Sequence, residues 1–245
     1  MNSAWLRATP THGDNAIPLF CIPHAGGNAS LYHPWRALLP AGIRLVQVCL
    51  PGRLERFRHP MPDSFDALTQ QLADAMLPAI GARWAIFGHS MGATLAHEVV
   101  LELCRRGASE PQLLAVSGRG AAQFHRPGQV HLQDDDALCA ELIRLDSNNA
   151  QVLAQAELRE VILPAIRADY RLIETYPARP QGVLHCPLAT FNGDSDPEVD
   201  DASIAGWRQW SHGPFHRYAW PGGHFYLHQQ RAAIVEAIGS LLLHD

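Results

Sequence analysis

The chain has 245 residues, 47% of them hydrophobic and 18% charged, with a formal net charge of −5 from 19 basic and 24 acidic side chains. This is ordinary globular composition, with ample apolar material for a large buried core. The slightly acidic balance speaks against a nucleic-acid partner, which requires basic surface.

At the start of the chain, Met1 to Pro10 lacks a basic segment followed by an apolar stretch, so no signal peptide is expected. Ile17–Ile22 predicts a strand, followed by a glycine-rich loop over Pro23–Ser30 and a short helix over Leu31–Leu39. Ile43–Leu50 predicts a second strand, ended by Pro51-Gly52. Asp63-Ser64 offers an N-cap, and Phe65, Leu68, Leu72, Met76 and Ile80 then recur at helical spacing. A third strand is expected over Trp84–Phe87 and a long helix over Met91–Arg106. Leu113–Ser117, Pro187–Phe191 and Phe215–Trp220 supply the remaining strands, and Tyr226–Leu243 a final helix.

Strand–helix alternation with continuously apolar strands predicts an α/β fold, with a mostly parallel central sheet flanked by helices. The chain reads as a single domain, 1–245. No strand is apparent between Gly118 and Cys186. Two helical patterns fill that interval, Asp135–Leu145 and Ala156–Tyr176, the second with Leu158, Ile162, Ile166, Tyr170 and Ile173 on one face. An insertion of this size between late strands predicts a helical lid, at about 119–180.

No apolar run is long enough to span a membrane. The five cysteines, Cys21, Cys49, Cys104, Cys139 and Cys186, are widely spaced and form no CxxC pair or zinc pattern, which fits a reduced, cytoplasmic protein. There are fourteen histidines but no HExxH or comparable cluster, so neither a metal nor another cofactor is expected. Oligomeric state leaves no trace in the sequence; a monomer is the default expectation.

Gly88-His89-Ser90-Met91-Gly92 follows a predicted strand and opens a predicted helix. That is the context of a nucleophile elbow: small flanking residues allow a sharp turn, and the serine points out of the sheet. The free N–H groups at the helix start can stabilise negative charge at the same spot. A serine hydroxyl needs a base, and the order Ser…Asp…His puts the acid and the base downstream. Gly193-Asp-Ser-Asp196 follows one strand and holds two candidate acids; Asp196 is preferred, because Asp194 sits in the turn that Gly193 begins. His224, in Gly222-Gly-His-Phe225, is the preferred base over His89, His97, His212, His216 and His228. His89, as a neighbour of Ser90 in the turn, is expected to point elsewhere, and His97 to be structural. One oxyanion donor should be the Met91 N–H, and the second should come from the loop Pro23-His-Ala-Gly-Gly27.

Phe20-Cys-Ile-Pro-His-Ala-Gly-Gly27, Pro51-Gly-Arg53, Gly88-His-Ser-Met-Gly-Ala93, Leu163-Pro-Ala-Ile-Arg-Ala-Asp169, Gly193-Asp-Ser-Asp-Pro197 and Gly222-Gly-His-Phe-Tyr226 occur in this order. From about Leu19 to Leu243 the chain resembles the external, type II thioesterases of non-ribosomal peptide and polyketide synthesis, which have the α/β-hydrolase fold. The resemblance implies Ser90 as nucleophile, Asp196 as acid, His224 as base, and Ala25 and Met91 as oxyanion-hole donors. It implies hydrolysis of acyl thioesters on the phosphopantetheine arm of acyl- or peptidyl-carrier proteins, which removes mis-primed or stalled groups. A small-ester or lipase-like serine esterase is the alternative. Leu54 and Leu145-Asp-Ser-Asn-Asn149 depart from the family pattern. Arg53, Arg56 and Arg58 are candidates for contact with a carrier protein's acidic surface or the arm's phosphate; the other reading is a solvated basic loop.

Overall fold

The computed structural model describes residues 4–9, 15–178 and 182–243. The end of the interval 119–180 and parts of the N-terminal stretch 1–10 lie outside the described residues. Seven strands form one sheet: β1 (Leu6–Ala8), β2 (Ile17–Ile22), β3 (Ile43–Val48), β4 (Ala85–His89), β5 (Leu113–Ser117), β6 (Leu188–Gly193) and β7 (Phe215–Trp220). Their spatial order is β1-β3-β2-β4-β5-β6-β7; β1 runs antiparallel to β3, and all other pairs are parallel.

The central strands are buried on both faces, which is why they read as continuous apolar runs. Alternation along each strand sorts their side chains into two layers. Phe20, Ile22, Ile86, Leu114 and Val116 face α1 (Phe65–Met76) and α2 (Met91–Arg105). Leu19, Cys21, Phe87 and Ala115 face the other side, where Tyr32, Trp35 and the last helix close the core. Ser64 caps α1 as expected, accepting from the Ala67 N–H at 3.1 Å.

The interval between β5 and β6 carries α3 (Asp135–Leu145), α4 (Asn149–Leu153) and α5 (Ala156–Glu174). It has its own apolar cluster of Leu138, Cys139, Leu142, Leu153, Leu163 and Ile166. Two further helices follow, α6 (Asp201–Ala205) and α7 (Arg231–Leu243).

Several details differ from the sequence reading. The short helix is a 3₁₀ run over Ala29–Ala37 with Pro34 inside it, and proline removes a donor that an α-helix would use. The terminal helix is split into a 3₁₀ turn at Tyr226–His228 and α7. The edge strand β1 was not expected; only Leu6 of its three residues is buried. Finally, Leu158 of α5 is exposed while Leu163 is buried. The buried residues of α5 are Leu163, Ile166, Asp169, Leu172, Ile173 and Glu174, so its inward face is rotated from the expected stripe.

Parallel strands bring their carboxyl ends to one edge of the sheet. The loop after β2, Ser90 after β4, Arg119 after β5, Asp196 after β6 and His224 after β7 therefore collect at that edge.

Candidate active site

Ser90 stands between β4 and α2 with φ 56° and ψ −120°, a conformation that side chains disfavour. Its N–H donates to Ser117 O of β5 at 2.8 Å, which anchors the turn to the neighbouring strand. The flanking glycines are required by space. A Cβ at Gly88 would stand 2.0 Å from Gly92 O, and one at Gly92 would stand 2.5 Å from Ile22 O and Pro23 O. Met91 is the first residue of α2, so its N–H has no partner within the helix. The N–H of Ala25, across from it on the Pro23–Gly27 loop, has no protein partner among the described residues.

His224 Nδ1 donates to Asp196, at 2.9 Å from Oδ2 and 3.1 Å from Oδ1, and both side chains are buried. A proton on Nδ1 leaves Nε2 as the basic nitrogen. Asp196 also accepts from the Glu198 N–H at 2.9 Å. Asp194 instead closes the turn at the surface, accepting from Ser195 Oγ at 2.8 Å and from the Gly222 N–H at 3.2 Å.

The other histidines sort by surroundings. His97 is buried against Trp207 and Trp210. His89 does not point away from the site. As the last residue of β4 it follows strand alternation, and its ring lies 5.1 Å from that of His224. Its Nδ1 is 2.9 Å from Ser117 Oγ, which in turn is 2.8 Å from the Tyr226 hydroxyl. Burial pushes the His89 pKa well down, so the ring is neutral beneath His224. His24 donates through Nδ1 to Ala25 O at 2.8 Å, and burial pushes its pKa down to about 4.

Arg53 and Arg56 are neither solvated nor available to a partner. Arg53 forms a buried fork with Asp169 of α5, and Arg56 is buried over the Trp5 ring, donating to Cys49 O at 2.8 Å. Only Arg58 of the three is exposed. The sequence showed their charge but not their partners, because Arg53 and Asp169 lie 116 residues apart.

Two cavities meet at Ser90, and both are lined by Ala25, Leu145, Tyr170 and His224. One, of about 240 Å³, runs under α3, α4 and α5 and is mainly apolar, with Leu142, Leu153, Ile162 and Ile166. The other, of about 250 Å³, is mixed: Arg119, His125, Arg126 and Glu198 line it together with Met91, Val130 and Ile173. Among the described residues no cluster is arranged to hold a metal ion, and no helix is long and apolar enough to cross a membrane.

A parallel sheet with a strained serine at a strand–helix elbow and a buried His–Asp pair at the same edge defines the α/β-hydrolase class. Comparison with known proteins narrows this. The thioesterase domain model matches residues 17–242. A probable cadicidin biosynthesis thioesterase of Streptomyces griseus is 38% identical over 241 residues, covering 98% of this chain and 66% of that protein's length. Thioesterase PikA5 of Streptomyces venezuelae is 38% identical over 240 residues, covering 98% of this chain and 85% of the relative. The solved structure of the type II thioesterase BorB, from the borrelidin biosynthetic cluster, superposes with a TM-score of 0.91 at 40% identity, covering 99% of each chain. The chain belongs to the thioesterase family.

Proposed function

We propose that this enzyme hydrolyses acyl thioesters on the phosphopantetheine arm of carrier proteins, clearing mis-primed or stalled groups from a non-ribosomal peptide or polyketide synthase. The observation that carries this reading is the meeting at Ser90 of two cavities, one mainly apolar and one bearing charged side chains, beside the buried His224–Asp196 pair. A thioester has two arms. The apolar cavity suits an acyl chain, and the mixed one, with its charged side chains, suits the amide-bearing pantetheine arm. The helices between β5 and β6 act as the lid over the first cavity, within one catalytic domain. On this reading the enzyme works in the cytoplasm as a monomer, with carrier proteins as its partners.

His224 Nε2 takes the proton of Ser90 Oγ as the oxygen attacks the thioester carbonyl. Asp196 holds the imidazole tautomer and stabilises the imidazolium. The N–H groups of Ala25 and Met91 receive the oxyanion, each contributing about 3 kcal/mol in the transition state. The C–S bond breaks and His224 returns the proton to sulfur. A pantetheine thiol, with a pKa near the value of about 8.5 for free Cys, leaves with less acid assistance than an amine needs. Water, deprotonated by the same histidine, then attacks the acyl-enzyme, and the carboxylic acid departs as Ser90 regains its proton.

The test is an acylated carrier protein followed by intact-protein mass spectrometry. The native enzyme should remove the acyl mass, while Ser90→Ala and Asp196→Asn should slow its loss by about 10³-fold or more. Asp194→Asn should stay within about fivefold of native, since it loses only a turn contact. Hydrolysis by Ser90→Ala at the native rate would sink the assignment. Turnover of free oxygen esters with none of carrier-bound thioesters would favour the esterase alternative instead.

A further inference from the structure

Three segments far apart in sequence meet at one buried ion pair. Arg53, from the turn after β3, donates through Nη1 to Asp169 Oδ2 at 2.7 Å and through Nη2 to Oδ1 at 2.8 Å. Side-chain exposure is 10% for Arg53 and 0% for Asp169. Each partner also grips the loop that carries Ala25. Asp169 Oδ2 accepts from the Gly26 N–H at 2.7 Å, and Arg53 Nη1 donates to Gly27 O at 2.9 Å.

The loop itself is a tight turn. The Gly27 N–H donates to His24 O at 2.9 Å, and Gly26 has φ +76°. A positive φ at the third position marks a type II turn, in which the central peptide is flipped relative to type I. That central peptide is Ala25–Gly26, and its N–H is the one that Asp169 holds. Asp169 holds that peptide by its N–H, and His24 Nδ1 holds it by its carbonyl, donating to Ala25 O at 2.8 Å. A flip of the peptide changes ψ of Ala25 and φ of Gly26; the Ala25 N–H belongs to the preceding peptide, so the clamp acts on it by fixing where the whole turn sits. A buried fork to Arg53 holds the carboxylate in one orientation.

We infer that Arg53 and Asp169 are positioning residues for thioester hydrolysis: from the β3 turn and from α5 they lock the His24–Gly27 turn, so that the Ala25 N–H faces the oxyanion. The inference rests on the reading of Ser90 and Ala25 given above. The pair touches neither the acyl group nor the reacting atoms and acts through the loop. Donor placement matters more to the tetrahedral intermediate than to the planar thioester, so the effect falls on kcat rather than on KM.

The test uses the full chain and an acyl N-acetylcysteamine thioester, which needs no docking of a carrier protein. Active sites are counted with a fluorophosphonate so that misfolded molecules do not enter kcat. In folded Asp169→Asn, kcat should fall about 10- to 100-fold with KM within about twofold of native. The affinity for an alkylboronic acid, which forms an anionic tetrahedral adduct with a serine, should weaken by the same factor as kcat. Arg53→Lys keeps the charge and loses the fork, so it should fall between native and Asp169→Asn; it decides the matter if Asp169→Asn does not fold. A folded variant with native kcat and native boronate affinity, or a loss carried by KM alone, overturns the inference. Turnover by Ser90→Ala at the native rate would instead overturn the reading of the site itself.

Discussion

At Ser90 the backbone takes a conformation that glycine tolerates and serine resists, and the elbow holds it there. Replacing the serine by glycine removes that strain and the hydroxyl together. Ser90→Gly should therefore raise stability by about 1 to 2 kcal/mol, or about 3 to 6 °C in Tm, while abolishing turnover. Thermal denaturation beside the carrier-protein assay checks both halves; an unchanged or lower Tm would show that the elbow stores no strain. The Gly-x-Ser-x-Gly spacing was legible because both glycines answer local sterics: each lies against backbone that leaves no room for a Cβ. The proximity of His89 to His224 was not legible. It depends on which layer of the sheet the last residue of β4 faces, and that follows from strand register rather than from spacing.

At the level of elements, the strands were legible as apolar runs and α1 as a capped, periodic helix. Shorter pieces were not. α4 has five residues and β1 has three, too few for a period to emerge. The Arg53–Asp169 pair escaped for another reason: only the folded sheet brings a turn after β3 beside a helix before β6. The helices α3 to α5 share a small apolar cluster that is separate from the two layers flanking the sheet. Leu163→Ala should cost about 2 to 4 kcal/mol, felt mainly within that cluster. Hydrogen exchange should then quicken across α3 to α5 while amides of β2, β4 and β5 stay protected. Uniform acceleration over the whole chain would mean that the helices unfold only with the sheet.

Across the whole molecule, acid should loosen the fold before it disturbs the carboxylates. Burial holds His24 and His125 at pKa values of about 4, and His89 well below its ordinary 6.5. The unfolded chain binds protons at these sites near pH 6.5 and the folded chain does not. Stability contributed by the neutral rings is therefore complete above pH 6.5 and is lost as pH falls from there toward 4. Tm measured in steps from pH 7.5 to 4.5 should drop through this window, and His125→Asn should flatten the slope by removing one of these sites. A Tm that holds constant to pH 4.5 would contradict this account. The fixing of α5 has a further consequence, for how such an enzyme changes over generations. Ile162 and Ile166 line the apolar cavity from the same helix that presents Asp169 to the Gly26 N–H, so substitutions that shift α5 disturb catalysis as well as fit. Leu145 and Val152 line the same cavity from α3 and α4, outside the cluster that ties those helices to α5. New acyl preferences are thus open to drift at those two positions, while the α5 wall of the chamber is inherited with the chemistry.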